Sequence, residues 1–241
     1  MRFLRDTEGV LTALEVGKYF LQVEIHKKPN LRRLSLRLNP ARTSLVIKCA
    51  SASKARVIED FIQKSQNWIE EKLKGIGPGF ILKPGGQLIL FGNTYKLIYQ
   101  KGRPATVKFE ENCAIISCSS PENFTKVLER GLKEEAYRFF HALSMTYASS
   151  LGTKPNTIKV RDFKSRWGSC SAVGDLSYSW RLIFAPLEVA QYVCAHEVAH
   201  LKEMNHSLRF WSLVKNLCPF YKVYRSWLRK EGASLFRVES F

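Results

Sequence analysis

Three histidines and one glutamate lie close together in the last quarter of the chain. They are His196, Glu197, His200 and His206, and the 241 residues contain only five histidines. On a helix, residues four apart lie on one face, so the spacing places the imidazoles of His196 and His200 side by side. This H-E-x-x-H pattern predicts a metal site. Zinc is the expected ion, because neutral imidazole suits it and three protein ligands leave a fourth position for water.

His206 can join this site only if the helix ends before it. It follows His196 by ten residues, so at about 100° per residue an unbroken helix would turn it to another face. Asn205 tolerates a left-handed backbone, and we expect the chain to turn back there. Ser207 is then expected to cap the next helix. The predicted metal ligands are therefore His196, His200 and His206, with water as the fourth.

Such a site is suited to hydrolysis. Zinc lowers the pKa of a bound water towards roughly 7, and it can polarise a scissile carbonyl. Glu197 lies between the two helical ligands, so we expect it to take the proton from the water and pass it to the leaving group. The candidates for stabilising the oxyanion are Arg166, Arg209, Tyr221 and Tyr224.

The residues around the histidines argue against a helix that is simply solvated. Apolar or small side chains occupy 192–195 and 198–199, so the helix is expected to be mostly buried. Buried polar groups need partners, and a metal ion would supply them to the histidines. Cys194 is two residues before His196 and therefore points away from the metal, so we expect it to pack in the core.

Strands and helices are both expected around this site, with little βαβ alternation, which indicates the α+β class. Period-two patterns and turn residues predict strands at 19–25, 34–38, 43–49, 157–160, 165–171 and 176–183, with hairpin turns near 92–93 and 111–112. Helical spacing predicts helices from Ser53 to Gly75, from Pro121 to Gly152, from Pro186 through the histidines, and over 207–230 with a break at Pro219. A glycine-rich loop is expected over 75–86.

Composition limits the partners and the compartment. The net charge of +17 favours anionic partners, of which nucleic acid is the commonest candidate, although no block of five like charges forms a dedicated patch. No apolar run approaches 18 residues and the first residues form no apolar leader, so we expect a cytoplasmic protein without a membrane partner. The six cysteines form no C-x-x-C pair and are expected to be reduced. Nothing in the composition indicates the oligomeric state.

Several motifs resemble the YgjP-like metallopeptidases, which are relatives of the SprT and WLM zinc peptidases. In chain order they are 164–171 (KSRWGSCS), 180–183 (WRLI), 185–186 (AP), 196–201 (HEVAHL), 204–207 (MNHS) and 210–211 (FW). The segments 33–37 and 68–69 fit more weakly. The resemblance spans about residues 20–233 and is strongest over 164–211.

This resemblance implies a zincin-like catalytic core with an N-terminal β-rich part. The domain would cover 20–233, with a β-rich lobe containing one helix at 20–120 and a zinc-binding helical lobe with a short sheet at 121–233. It also implies that His196, His200 and His206 bind zinc and that Glu197 is the catalytic acid and base.

Three functions remain open on the sequence. The leading hypothesis is a zinc-dependent metallopeptidase that acts on a peptide or protein substrate, with a strand near 166–171 pairing with the extended peptide. The alternative enzyme is a metal-dependent hydrolase of nucleotides or phosphate esters, which the basic surface favours, although 75–86 lacks the ending of a phosphate-binding loop. The third is a non-catalytic, zinc-stapled nucleic-acid-binding module. Glu197 argues against it, because a structural zinc site needs no free carboxylate.

Overall fold

The computed structural model of the chain describes residues 1–17, 19–39, 42, 44–74, 82–163 and 165–237. Predictions for Thr43, Lys164 and most of the loop at 75–86 lie outside these residues. The chain forms two compact units, Met1–Pro78 and Gly79–Phe241. Both contain helices and strands, so the α+β class is confirmed. Among the described helices, none is both long and apolar enough to cross a bilayer.

The first unit is a five-stranded sheet with two helices. Its strands are β1 (Arg2–Arg5), β2 (Leu11–Val16), β3 (Tyr19–Lys28), β4 (Ser35–Leu38) and β5 (Ser44–Ala50), and its helices are α1 (Ala55–Lys64) and α2 (Gln66–Leu73). The sheet order is β1-β2-β3-β5-β4, with β3 and β5 parallel. Its core joins Leu14, Leu21 and Ile47 of the sheet to Ile62 and Ile69 of the helices.

One predicted helix is two helices in the structure. The prediction ran from Ser53 to Gly75, but α1 begins after Lys54 and ends at Lys64. The hydroxyl of Ser65 donates to the carbonyl of Phe61 at 2.9 Å, four residues earlier. A serine that bonds back to the preceding turn competes with the helix hydrogen bonds and favours a bend, which accounts for the break.

The second unit begins with a four-stranded sheet that packs on the longest helix. Its strands are β6 (Gln87–Leu90), β7 (Asn93–Lys101), β8 (Thr106–Phe109) and β9 (Cys113–Cys118), followed by a 3₁₀ turn at Pro121–Asn123 and the helix α3 (Phe124–Ser150). The two predicted hairpins are β6–β7 and β8–β9. At Gly131 of α3, an added Cβ would lie 2.6 Å from the side chain of Val107 on β8. This sheet and α3 share one core, and both belong to the unit Gly79–Phe241.

A small sheet and three helices complete the second unit. They are β10 (Thr157–Arg161), β11 (Gly168–Cys170), β12 (Asp175–Ser179), a 3₁₀ helix at Trp180–Phe184, α4 (Leu187–Ala199), α5 (Leu208–Leu217), α6 (Tyr221–Glu231) and a 3₁₀ helix at Gly232–Arg237. The sheet order is β10-β12-β11, so β11 is an edge strand. The strand predicted over 176–183 ends early, at Ser179. Arg181 holds the following turn by pairing with Asp162 at 2.8 Å and stacking 4.9 Å from the ring centroid of Trp180.

Candidate active site

The helix α4 carries the first part of the site. It begins after Pro186, as the sequence predicts, and it ends at Ala199, so that His200 is its capping residue. Nearly every residue of its second half is buried, and Glu197 itself is only 6% exposed. The helix is therefore a core element with a few polar side chains, which is the environment that the apolar flanks predict.

The back of α4 is fixed to α3 by a buried polar cluster. The hydroxyls of Ser144 and Tyr178 lie 2.9 Å apart, and the thiol of Cys194 lies 3.4 Å from Ser144. Burial raises the pKa of Cys194 to about 12, so this thiol stays protonated. The cysteine packs in the core away from the histidines, as the sequence predicts.

The structure brings the three histidines together. The Nε2 atoms of His196 and His206 are 3.2 Å apart. One ring nitrogen from each of His196, His200 and His206 lies within 4.8 Å of the others. In a tetrahedral site, two nitrogens about 2.0–2.1 Å from zinc are about 3.3 Å apart, so the 3.2 Å separation suits two ligands of one ion.

The turn that returns His206 to the site differs from the predicted one. Asn205 is not in the left-handed region, because the positive-φ residues other than glycine in the described chain are Arg42 and Phe91. Instead, its side-chain oxygen accepts the backbone N–H of Ser207 at 3.0 Å. This side-chain turn reverses the chain without backbone strain. Ser207 caps α5 as predicted, by accepting the N–H of Phe210 at 3.2 Å.

The protonation of the histidines also suits a metal ion. Burial, together with the neighbouring imidazoles and Arg225, lowers the pKa of His196 to about 3, and burial also lowers the pKa of His200. Both rings are therefore neutral, which is the form that binds metals. Nδ1 of His200 lies 3.1 Å from the carbonyl oxygen of Glu203. A proton on Nδ1 would be donated to that oxygen, which leaves Nε2 free to bind a metal.

Glu197 lies beside the histidines in a cavity of about 190 Å³. The cavity is lined by Trp167, Gly168, Tyr192, Val193, His196, Glu197 and Leu228. Burial raises the pKa of Glu197 to about 8, and the positive charge of Arg166 partly opposes this. A Cβ at Gly168 would lie 2.6 Å from both Cγ and Oε1 of Glu197. Only glycine therefore lets β11 approach this carboxylate so closely.

The four predicted oxyanion candidates lie in different surroundings. Arg166 is exposed and close enough to Glu197 to influence its pKa. Arg209 is exposed and lies 3.9 Å from Glu203. Tyr221 is buried and stacks on Trp211, and Tyr224 is half-buried. In the described part of the chain, none of the four makes a hydrogen bond to Glu197 or to a histidine of the site.

Tyr192 belongs to the site, although sequence reasoning placed it only among the apolar flanks. Its ring lies 6.0 Å from that of His196, and it lines the cavity with Glu197. Burial raises its pKa to about 12, so the hydroxyl keeps its proton and can donate a hydrogen bond. Its position four residues before His196 on one helix is the signal that could have identified it.

Comparisons with known proteins identify a family for this chain. The family model described as "YgjP-like, metallopeptidase domain" matches residues 32–231. No curated protein gives a significant match. Among solved structures, the metallopeptidase zymogen of Pyrococcus abyssi abylysin is similar at 23% identity, over 37% of this chain and 93% of that chain. The TM-score is 0.34, which establishes no common fold.

The family match extends over most of the second unit and into the first. Within it lie the motifs that carry the resemblance, the three clustered histidines and the buried glutamate. A metallopeptidase needs a metal ion, and the histidine cluster can hold one. The chain belongs to the YgjP-like family, and it is a metallopeptidase.

Proposed function

We propose that the protein is a zinc-dependent peptidase in which His196, His200 and His206 bind the metal and Glu197 is the general acid and base. The observation that carries the proposal is the convergence of three imidazole nitrogens within 4.8 Å, beside a buried carboxylate. An open zinc site with three protein ligands is typical of catalysis rather than of structural support.

The surroundings of Glu197 suit a proton carrier. When bound, zinc acts as a Lewis acid on water and on the scissile carbonyl. The Glu197 carboxylate accepts the proton of the attacking water and later donates it to the leaving amine. Burial favours the neutral carboxyl that donates the proton, and a zinc ion beside Glu197 would favour the ionised carboxylate that accepts it. The hydroxyl of Tyr192, which lines the same cavity, can donate a hydrogen bond to the developing negative charge on the substrate.

An extended peptide has a natural partner in β11. Within the described sheet, β11 pairs with β12 alone, and its first residue, Gly168, contacts Glu197. A substrate strand that adds to this edge would bring its backbone next to the carboxylate. The peptide pairing expected for 166–171 would therefore involve the strand Gly168–Cys170.

Metal analysis and chelation test the proposed function. We expect the purified protein to contain zinc by elemental analysis, and a chelator to abolish cleavage of an unfolded protein substrate. Added zinc should restore the cleavage, while nucleoside triphosphates offered in the same assay should stay intact. A folded protein that binds no metal, or that hydrolyses nucleotides in place of peptides, would contradict the proposal.

Replacing Gly168 by Ala should impair catalysis without removing the metal. The new Cβ would lie 2.6 Å from the Glu197 side chain, so the carboxylate must move. Because displacement of a reacting group by about 1 Å can cost about 100-fold in rate, we expect kcat/KM to fall by about 10- to 100-fold. The overpacking should lower the free energy of unfolding by about 1–3 kcal/mol. Kinetics, zinc content and denaturant unfolding measure these effects.

Gly102→Ala is the matched control for this change. At Gly102 an added Cβ would make ordinary contacts, the nearest at 3.8 Å from Ser117. It should leave both rate and stability close to wild type. A Gly168→Ala protein with the wild-type rate would show that the close approach of β11 to Glu197 has no role in the reaction.

Two expectations from composition stay predictions. Association with nucleic acid through the +17 charge would weaken steeply with salt, because released counterions dominate such binding. A cytoplasmic location can be tested by cell fractionation.

A further inference from the structure

A second and larger cavity lies next to the histidine cluster. Its volume is about 630 Å³, within the range of small-ligand sites. It is lined by Trp211, Tyr221, Lys222, Arg225, Ser226, Arg229 and Lys230. Nothing in the reaction described above uses these residues. Because four of them are lysine or arginine, we refer to this feature as the basic cavity.

Aromatic rings connect the basic cavity to the histidines. The ring of Trp211 stacks on that of His206 with centroids 5.7 Å apart, and it lies 5.8 Å from His196. The ring of Tyr221 stacks in turn on that of Trp211, with centroids 5.2 Å apart. Trp211 therefore lines the basic cavity and also packs against two of the three histidines.

The charge of this cavity is strongly one-sided. The helix α6 carries four cations, at Lys222, Arg225, Arg229 and Lys230, against the single carboxylate of Glu231. All four cations are exposed, and none of them is within ion-pair distance of a carboxylate in the described chain. The positions 222, 225 and 229 share one face of the helix. This face therefore offers positive charge that no carboxylate of the described residues neutralises.

Helix stability explains only part of this pattern. Arg229 and Lys230 lie in the last turn of α6, where cations interact favourably with the helix dipole. Lys222 and Arg225 lie in the first half, where that effect is absent or unfavourable. Arg225 is held over the ring of Trp211, with its guanidinium carbon 4.8 Å from the ring centroid. It is thus oriented at the junction between the basic cavity and the histidines.

We propose that the basic cavity is a specificity site that binds an acidic side chain of the peptide substrate, so that the enzyme prefers Asp or Glu near the scissile bond. This inference rests on the peptidase function proposed above. A guanidinium fork matches a carboxylate with two parallel hydrogen bonds, and the rings of Trp211 and Tyr221 can pack against the methylenes of the bound side chain. The volume of about 630 Å³ is sufficient for one or two side chains of a peptide.

Paired peptides test this preference during cleavage. The two quenched-fluorescence peptides are C-terminally amidated and differ only by Glu or Gln at the residues that flank the cleaved bond. We expect the zinc-loaded protein to cleave the Glu peptide about five- to tenfold faster in kcat/KM, the range for a partly exposed charged hydrogen bond. In the double variant Arg225→Gln/Arg229→Gln the two rates should become equal. Lys215→Gln, an exposed cation of α5 outside the cavity, should keep the wild-type ratio.

A binding measurement makes the test independent of hydrolysis. Zinc-loaded Glu197→Gln protein is titrated with the same two peptides, labelled for fluorescence anisotropy. The Glu peptide should bind about five- to tenfold more tightly than the Gln peptide. This difference should vanish when Arg225→Gln and Arg229→Gln are added to the Glu197→Gln protein. Equal affinities would overturn the specificity site and leave the peptidase function standing. Failure to cleave any peptide would instead contradict the peptidase function, and the two affinities would still decide the role of the cavity.

Nucleic acid is the competing occupant, and the same titration includes it. A single-stranded oligonucleotide is added to the Glu197→Gln protein with and without the arginine substitutions. An oligonucleotide that binds through Arg225 and Arg229, while the Glu and Gln peptides bind equally, would assign the cavity to phosphate and overturn the inference. We expect the oligonucleotide to compete weakly and to lose its affinity with added salt.

Discussion

Peptide hydrolysis should be lost in a Glu197→Gln protein that still binds its metal. The amide has nearly the volume of the carboxylate, so it fits the cavity against Gly168, but it cannot accept a proton from water. General acid–base groups contribute about 10²- to 10⁴-fold to enzymatic rates, so we expect kcat to fall by at least about 10²-fold. Because the substitution removes a buried ionisable group, the free energy of unfolding should not fall by much.

Zinc content, thermal unfolding and peptide kinetics on the same preparation measure this result. Glu188→Gln is the matched control, since Glu188 is an exposed glutamate in the first turn of the same helix. It should retain wild-type kinetics. A Glu197→Gln protein with unchanged kcat would remove the glutamate from the mechanism and would favour another base.

Zinc should be lost when His200 is replaced by Ala. This removes one of three imidazoles whose nitrogens lie within 4.8 Å of one another, and with it the ring that Glu203 orients. Removing a group that only hydrogen-bonds a ligand lowers metal affinity by about 10- to 100-fold, and removal of the ligand itself should exceed that loss. Peptidase activity should fall below detection. Competition with a chelator of known affinity, followed by elemental analysis, measures the change.

His141→Ala is the matched control, because it removes a histidine that lies outside the metal site. His141 is exposed on α3, and its ring lies 5.5 Å from that of Tyr137. Its replacement should change neither zinc affinity nor rate. If the His200→Ala protein retained the wild-type affinity for zinc, the metal would have to lie elsewhere in the protein.

The composition of the site could be predicted from the sequence because its main signals are local. The spacing of His196 and His200 depends only on helix geometry, and the cap at Ser207 depends on residues next to it. The return of His206 was predicted correctly, but the predicted route was wrong. A left-handed Asn205 and a side-chain turn at the same residue both reverse the chain, and the residue type alone does not distinguish them.

The remainder of the site depends on residues that are distant in the sequence. The contact between Gly168 and Glu197 joins an edge strand to a helix, and the cavity at Glu197 needs α6 to pack beside α4. No periodic pattern contains this information. The end of the strand predicted over 176–183 was wrong for a similar reason. Arg181 pairs with Asp162, which is distant in the sequence, and this pairing favours a turn after Ser179.

The hydroxyl and thiol cluster behind α4 specifies how the histidine helix is set in the molecule. If α4 slid by one turn or rotated about its axis, Ser144, Tyr178 and Cys194 would lose their mutual hydrogen bonds inside an apolar core. A wrongly seated helix would then carry unsatisfied polar groups, each costing about 1–3 kcal/mol. The orientation of the imidazoles is thus decided on the opposite side of the helix, and side chains that never meet substrate determine where the reaction centre forms.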